Sequence, residues 1–259
     1  MPLNLSFSKS SSTGNFYTKV HRSVGKQAAE ETLNPTAREI RDWIDGNFPK
    51  NTLNNMSVLD AGCGLNAFHA AHCLKQGAHS AHAIDINAEA IGHIREVHPG
   101  IIARSGSLME FPYDDGTFDL VICSGVAHHT EKPERSISEL FRVLKPGGTA
   151  WISLYCFRGS LFEYLVRAWR MLGKVLPYSL LHAIFKNNAT INNFVLDHMY
   201  VPVLWIYTND EVQKILRQTG FQPIQDFPSR FDFFQGKRLG KMISGDGLLR
   251  IYIARKKLD

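Results

Sequence analysis

Val58-Leu59-Asp60-Ala61-Gly62-Cys63-Gly64-Leu65-Asn66, followed by Ala83-Ile84-Asp85, is the stretch that decides the fold. A short apolar run ends in an acid and two closely spaced glycines, and a second apolar run ends in another acid. This pattern predicts a strand, a tight glycine turn, a helix and a second strand with a carboxylate at its tip. Such a unit suits a nucleoside. Glycine has no Cβ to hold a ligand away from the backbone, and the second acid is placed to accept hydrogen bonds from ribose hydroxyls.

The spacing alone leaves two readings open. Gly62-x-Gly64-x-x-Ala67 also satisfies a dinucleotide fingerprint, with Asp85 lying 21 residues beyond the second glycine. Asp60 argues against a dinucleotide. That ligand brings a pyrophosphate to the helix N-terminus, where a carboxylate two residues before the first glycine would repel it. A cationic ligand with an amino group tolerates the carboxylate; the plainer reading of Asp60 is a helix cap.

Acid-x-Gly-x-Gly followed by an acid after the next strand resembles the class I S-adenosylmethionine-dependent methyltransferases. Gly106-Ser107-Leu108-Met109-Glu110-Phe111-Pro112-Tyr113 resembles that family's adenine-contacting loop. Phe118-Asp119-Leu120-Val121-Ile122-Cys123-Ser124 resembles its fourth strand, with Val126-Ala127-His128-His129 after it. Leu140-Phe141-Arg142-Val143-Leu144-Lys145-Pro146-Gly147-Gly148 resembles the helix and turn leading into its fifth strand. The resemblance spans residues 56–155 and is nearest to the subgroup of quinone-ring C-methyltransferases and wobble-uridine transfer-RNA methyltransferases. Asn66 stands where the family often has a third glycine. Asn tolerates unusual backbone angles, so the turn is expected to survive.

The resemblance implies S-adenosylmethionine as cofactor and a set of positions for it. Asp60, Gly62, Gly64 and Asp85 would hold its amino-acid and ribose ends. Ile86 would pack on adenine, Ser107 and Leu108 would meet the adenine edge, Ser124 would sit at the tip of the fourth strand, and Tyr17 would close over the ligand. His128 and His129 are the candidate catalytic residues, because histidine is the usual general base near neutral pH. The plainer reading of this pair is that one packs and the other meets solvent. Asp197, His198 and Tyr200 are candidates for the acceptor pocket.

The alternation of strands (56–61, 80–85, 100–104, 118–123, 149–155) and helices (67–76, 88–96, 134–144) predicts a parallel α/β sheet with right-handed crossovers. The expected fold is a Rossmann-like, seven-stranded, mostly parallel sheet with helices on both faces. It carries an N-terminal helical arm over 1–50, a core over 51–155 and a helical cap over 156–207 after the fifth strand. A C-terminal unit over 208–259 completes the sheet. Residues 1–15 are expected to be mobile. Ile40, Trp43 and Ile44 share one helix face, with Pro35 opening that helix. Thr208-Asn209-Asp210-Glu211 reads as a capping box for a helix that stops at Gly220. Strands over 221–227 and 248–254 should form the antiparallel edge.

Composition adds exclusions. Hydrophobic residues make up 44% and charged residues 20%, which is ordinary globular usage. Cys63, Cys73, Cys123 and Cys156 form no C-x-x-C pair and read as reduced thiols of a cytoplasmic protein. The Ser- and Asn-containing start lacks the apolar core of a signal peptide. No eighteen-residue apolar run exists, so no membrane span is expected. His69, His72, Cys73, His79 and His82 do not converge on one point, and no metal is predicted. The oligomeric state is left open.

The expected chemistry is in-line methyl transfer to a small organic acceptor under an aromatic, apolar cap. A transfer-RNA acceptor ranks second, since the cap lacks a basic stripe with interleaved aromatics despite a net charge of +5. A non-catalytic S-adenosylmethionine binder, or an enzyme using the cofactor for other chemistry, ranks third.

Overall fold

A computed structural model describes residues 2–6, 16, 18, 35–48, 51–185, 195, 198–230 and 240–258. Its nine strands are β1 (Leu3–Asn4), β2 (Ser57–Ala61), β3 (Ser80–Asp85), β4 (Ile101–Ser105), β5 (Phe118–Ser124), β6 (Leu144–Leu154), β7 (Trp205–Ile206), β8 (Phe221–Pro228) and β9 (Arg250–Lys256). Its helices, named likewise, are α1 (Pro35–Asn47), α2 (Phe68–Lys75), α3 (Ala88–Val97), α4 (Pro133–Val143), α5 (Leu161–Gly173), α6 (Tyr178–Phe185), α7 (Asn209–Thr219) and α8 (Gly240–Ser244).

Seven strands form one sheet in the order β4-β3-β2-β5-β6-β9-β8. The first five are parallel, and β9 and β8 pair antiparallel. This is the mostly parallel, Rossmann-like sheet expected from the alternation. Strand order reverses between β2 and β5, and the carboxyl ends of those strands bracket the crevice where ligands bind in such sheets.

The period-two alternation of side chains builds a core on each face. Leu59, Ala61, Val121, Cys123, Ile152 and Ala254 pack against Ile137, Leu140 and Val143 of α4 and Val212 and Leu216 of α7. Their neighbours Val58, Leu120, Ile122, Trp151, Ile251 and Ile253 pack against Ile40 and Ile44 of α1 and Cys73 of α2. Trp43 joins the second cluster, as its helical spacing from Ile40 and Ile44 predicts. Each fully buried Ile or Leu contributes about 1.5–3 kcal/mol. The central strands are near-continuous apolar runs because both faces are covered.

Two strands of the sheet are irregular, the interior β6 and the outermost β8. Strand β6 begins at Leu144, five residues before Thr149. Its register jumps from the Phe118–Leu144 pair to the Leu120–Thr149 pair, so Lys145-Pro146-Gly147-Gly148 bulges out within the strand. Gly147 takes φ +79° there. On the outermost strand, β8 shifts register between Pro223 and Gln225, in keeping with the confinement of strand proline to edges and bulges.

The chain start also differs from expectation. Leu3 and Asn4 pair antiparallel with Ile206 and Trp205. The amide of Leu5 donates to Leu204 O at 2.8 Å. Residues 2–6 are thus held by backbone bonds and by packing of Leu3 and Leu5 against the Phe157–Phe162–Val166 cluster.

Candidate functional site

The turn after β2 is fixed by the tip of β3. The amides of Gly62 and Cys63 both donate to Ile84 O, at 2.8 and 3.1 Å. The Gly64 amide donates to Asp85 Oδ2 at 2.9 Å, and the Asn87 amide donates to Asp85 Oδ1 at 2.9 Å. Each carboxylate oxygen therefore holds one backbone N–H and keeps further lone-pair capacity. Asn87 also caps α3 by accepting from Glu89 N at 3.0 Å and Ala90 N at 3.4 Å. One acid thus orders the glycine turn and the start of the next helix.

The two glycines have different reasons to be glycine. Gly62 has φ +77°, and a Cβ there would lie 2.7 Å from both methyls of Val126. It is the contact point between the β2 turn and the segment after β5. Gly64 has φ +61° and nothing within 4 Å of a Cβ position. The unusual backbone angles allowed for at Asn66 fall instead on its neighbour: Ala67 has φ 44° and ψ 46° at the N-cap of α2.

Ala67 offers α2 no side-chain cap. Asp60 supplies one from the end of β2, accepting from Ala70 N at 3.2 Å. Asp60 is buried, and burial raises its carboxyl pKa to about 7; the amides of Ala70 and His69 oppose the rise and the charge of Asp85 adds to it. His69, at the start of the same helix, is held down at about 4, chiefly by burial.

The loop after β4 is organised from α4. Phe111 N donates to Glu139 Oε2 at 2.8 Å. Arg142 pairs with Glu139 at 2.8 Å and also donates to Tyr113 O and Phe111 O, at 2.8 and 3.1 Å. Burial pushes the Glu139 carboxyl up, but the hydrogen bonds from Arg142 and Phe111 outweigh it and hold the group below its usual range. Within this loop Ser107 Oγ accepts from Met109 N at 3.1 Å, and Leu108 is in the core. Ile86, beside Asp85, is 43% exposed. Ser124 ends β5, and the next amide, Gly125 N, donates to Ser153 Oγ at 2.8 Å.

His128 and His129 form a short helical turn after β5 and are both buried. His129 Nδ1 lies 2.9 Å from Val203 O. A carbonyl only accepts, so Nδ1 carries a proton and donates it. The ring of Tyr155, just beyond β6, lies 4.1 Å from His128 and 4.9 Å from His198 between centroids. His128, His129 and the buried His198 therefore form one cluster of rings, joined through Tyr155.

Tyr200 lies elsewhere. Its hydroxyl donates to Leu176 O at 2.8 Å, and its ring meets Tyr178 edge-on. Tyr17 and Asp197 lie outside the described residues.

Three features of the site region escaped the sequence reading. Tyr155 passed as the last residue of a strand. The Glu139–Arg142 pair was detectable as an acid and a base three apart on one helix. Arg170 had no local signal: it is buried in α5 and donates to Leu5 O, His198 O and Val201 O at 2.8, 3.1 and 2.8 Å.

Residues 59–152 match a family described as a methyltransferase domain. A probable S-adenosylmethionine-dependent methyltransferase of Mycolicibacterium smegmatis is 33% identical over 96 residues, which cover 37% of this chain and 37% of that protein. The chain spans between 34% and 52% of the length of the curated relatives it matches. Among solved structures, 1,6-didemethyltoxoflavin-N1-methyltransferase of Burkholderia thailandensis, with 1,6-didemethyltoxoflavin and S-adenosylhomocysteine bound, superposes with a TM-score of 0.59. Its identity is 15%, over 99% of this chain and 94% of that one. The cyclase SpnF superposes with a TM-score of 0.66 at 16% identity, over 99% of this chain and 100% of that one. At such identities the likeness is one of fold.

Proposed function

We propose that this chain, whose residues 59–152 match a methyltransferase domain, uses S-adenosylmethionine to methylate a small organic acceptor held beneath α5 and the 198–206 segment. The observation that carries the reading is the bond from Gly64 N to Asp85 Oδ2. It fixes a carboxylate with spare lone pairs at the strand-order reversal, beside a glycine whose missing Cβ leaves open space and an exposed apolar Ile86. Those three features fit a ribose, a backbone-contacting chain and an adenine face. Ser107 and Leu108 border the same crevice from the loop that Glu139 and Arg142 hold in place.

When bound, the cofactor supplies a methyl group on a positively charged sulfur. The chain then has two tasks. The first is orientation: Asp85, Gly64 and Ile86 fix one reactant while the wall of His128, Tyr155 and His198 fixes the other, and alignment of this kind is worth roughly 7–11 kcal/mol. The second is proton removal from the acceptor. His129 suits this through Nε2, because the Val203 carbonyl sets its tautomer from the other side. With an acceptor in place, His129 would hold its proton at Nε2 while the transferred methyl group replaces that proton on the acceptor. Asp60 acts indirectly, by capping α2 beneath the glycine turn.

A wall of aromatic and imidazole rings suits a flat acceptor with an ionisable O–H or N–H. Transfer RNA ranks lower, because the described outer face of the cap exposes the apolar Leu161, Leu165, Met171 and Leu172. The test is isotope-labelled methyl transfer from S-adenosylmethionine to a panel of phenols and heteroaromatic amines, with bulk transfer RNA in parallel. Label in a small acceptor supports the reading. Label in RNA alone, or cofactor binding with no labelled product in any extract, contradicts it.

A further inference from the structure

Helix α5 turns one stripe inward: Phe162, Val166 and Arg170, at four-residue steps, are all buried. Phe162 and Val166 sit in an apolar cluster with Val201, Leu204 and Ile206. Arg170 occupies the place of the next apolar residue, and a buried guanidinium is costly unless its donors are matched. Here they are matched by backbone. Nε donates to Leu5 O at 2.8 Å, Nη1 to His198 O at 3.1 Å and Nη2 to Val201 O at 2.8 Å.

These carbonyls belong to two segments that Arg170 ties together. Residues 198–200 are helical and Val201 is not. The last carbonyls of a helix find no partner within it, and the fork of Arg170 takes His198 O and, just past the end, Val201 O. Helix α5 comes close at this point: a Cβ on Gly173 would lie 3.0 Å from Met199 O. The third carbonyl, Leu5 O, comes from the start of the chain.

The bonds close into a ring around Val203. On one side Arg170 holds Val201 O. On the other, Leu5 N donates to Leu204 O at 2.8 Å and Leu204 N donates to Ser6 Oγ at 3.1 Å. Arg170 joins the two sides through Leu5 O. Val203 lies between them, buried, and its carbonyl takes the Nδ1 proton of His129 at 2.9 Å. A leucine at 170 would fill the stripe and hold none of these carbonyls. A lysine would bring the charge but only a compact point donor, whereas the guanidinium nitrogens are spread apart in one plane.

We propose that Arg170 is a positioning residue for His129. It fixes the 201–204 stretch from both ends, so that Val203 O stands where the imidazole N–H must point. Its bearing on methyl transfer rests on the reading of His129 as the base, whereas the tether itself is tested in the chain without acceptor.

The test is the exchange rate of the His129 Nδ1 proton with water, read by nitrogen–proton correlation spectra of the full chain labelled with nitrogen-15 histidine. The His129 signal is identified by its loss in His129→Gln. Arg170→Lys should speed the exchange by roughly tenfold, the scale of one lost hydrogen bond. Ser6→Ala, which removes the acceptor of the Leu204 amide and buries no unmatched charge, should speed it less. Arg167→Met, on the same helix at the Glu163 pair, should leave it unchanged. Equilibrium dialysis of labelled S-adenosylhomocysteine should give Arg170→Lys the affinity of the wild type. A merely stabilising arginine would lower the melting temperature and leave the His129 proton as it was. The proposal is overturned by unchanged exchange in an Arg170→Lys chain that melts cooperatively or, if that variant does not fold, by unchanged exchange in Ser6→Ala. Equal acceleration in Arg167→Met also overturns it. A wild type that binds no S-adenosylhomocysteine contradicts the methyl-transfer reading instead, and the exchange rates still decide the tether.

Discussion

The amide of Gly64 donates to Oδ2 of Asp85 at 2.9 Å, joining residues 21 apart in sequence into one unit. The glycine turn and the strand-tip acid are therefore not two independent ligand contacts. The acid positions the turn and keeps lone pairs beyond the two amides it accepts. Replacing Asp85 by Ala removes both functions. Cofactor affinity is expected to fall at least tenfold, about 1.4 kcal/mol, read by equilibrium dialysis of labelled S-adenosylhomocysteine. Unchanged affinity in a folded variant would sink the assignment of Asp85.

Gly62 and Gly64 share positive φ values, +77° and +61°, but only Gly62 faces a wall, with Val126 2.7 Å from its Cβ position. Alanine at either site meets backbone strain of roughly 1–3 kcal/mol. Gly62→Ala adds overpacking and should be the less stable of the two in urea denaturation. Gly64→Ala should retain more stability yet bind the cofactor more weakly, because its methyl enters the open side. The reverse order of stabilities would contradict the distinction.

Asp60 and His69 predict opposing pH slopes. The Asp60 carboxyl is raised from its ordinary 3.8 to about 7. Between those values the folded state holds more protons than the unfolded state, so this group lowers stability as pH rises from 4 to 7. His69 is lowered from 6.5 to about 4. Here the unfolded state holds more protons, so this group raises stability as pH rises from 4 to 6.5. Relative to wild type, Asp60→Asn should therefore gain stability with rising pH across its window, and His69→Gln should lose it. Denaturation series at several pH values check both signs. Profiles parallel to that of the wild type would show that neither group is shifted.

His129 is oriented by Val203 O, to which its Nδ1 donates. His129→Ala should spare cofactor binding and slow turnover by roughly 10²–10⁴ if the acceptor needs deprotonation. The loss should shrink as pH rises towards the acceptor's own pKa, a change that a purely structural role would not produce. Full turnover in the variant at neutral pH excludes His129 as an essential base.

The sheet was legible because its signals are local. The Val58–Gly64 and Ala83–Asp85 runs, the apolar strands and the Thr208–Glu211 capping box each carry their instruction within a few residues. Thr208 and Glu211 do exchange both hydrogen bonds of that box, and Gly220 ends the helix at φ +107°. What stayed hidden depends on contacts between distant segments. The start of the chain was expected to be mobile because nothing near it forms a pattern, yet its anchors are Leu204, 199 residues away from Leu5, and Arg170. The capping of α2 by Asp60 stood only as the plainer reading beside a ligand role, because nothing local says that the helix begins at an Ala67 that cannot cap itself. Of the candidate acceptor residues, His198 joins His128 through Tyr155, whereas Tyr200 turns to Leu176 and Tyr178. A period of 3.6 places a residue on a face of its helix and is silent about what that face meets.

Calorimetric titration of the purified chain with S-adenosylmethionine, S-adenosylhomocysteine and, as control, NAD tests the central claim most directly. Micromolar binding of the first two, about 8 kcal/mol, with none of NAD, is the predicted result. Binding of NAD, or of none of the three, would contradict the assignment of the Gly64–Asp85 crevice to this cofactor.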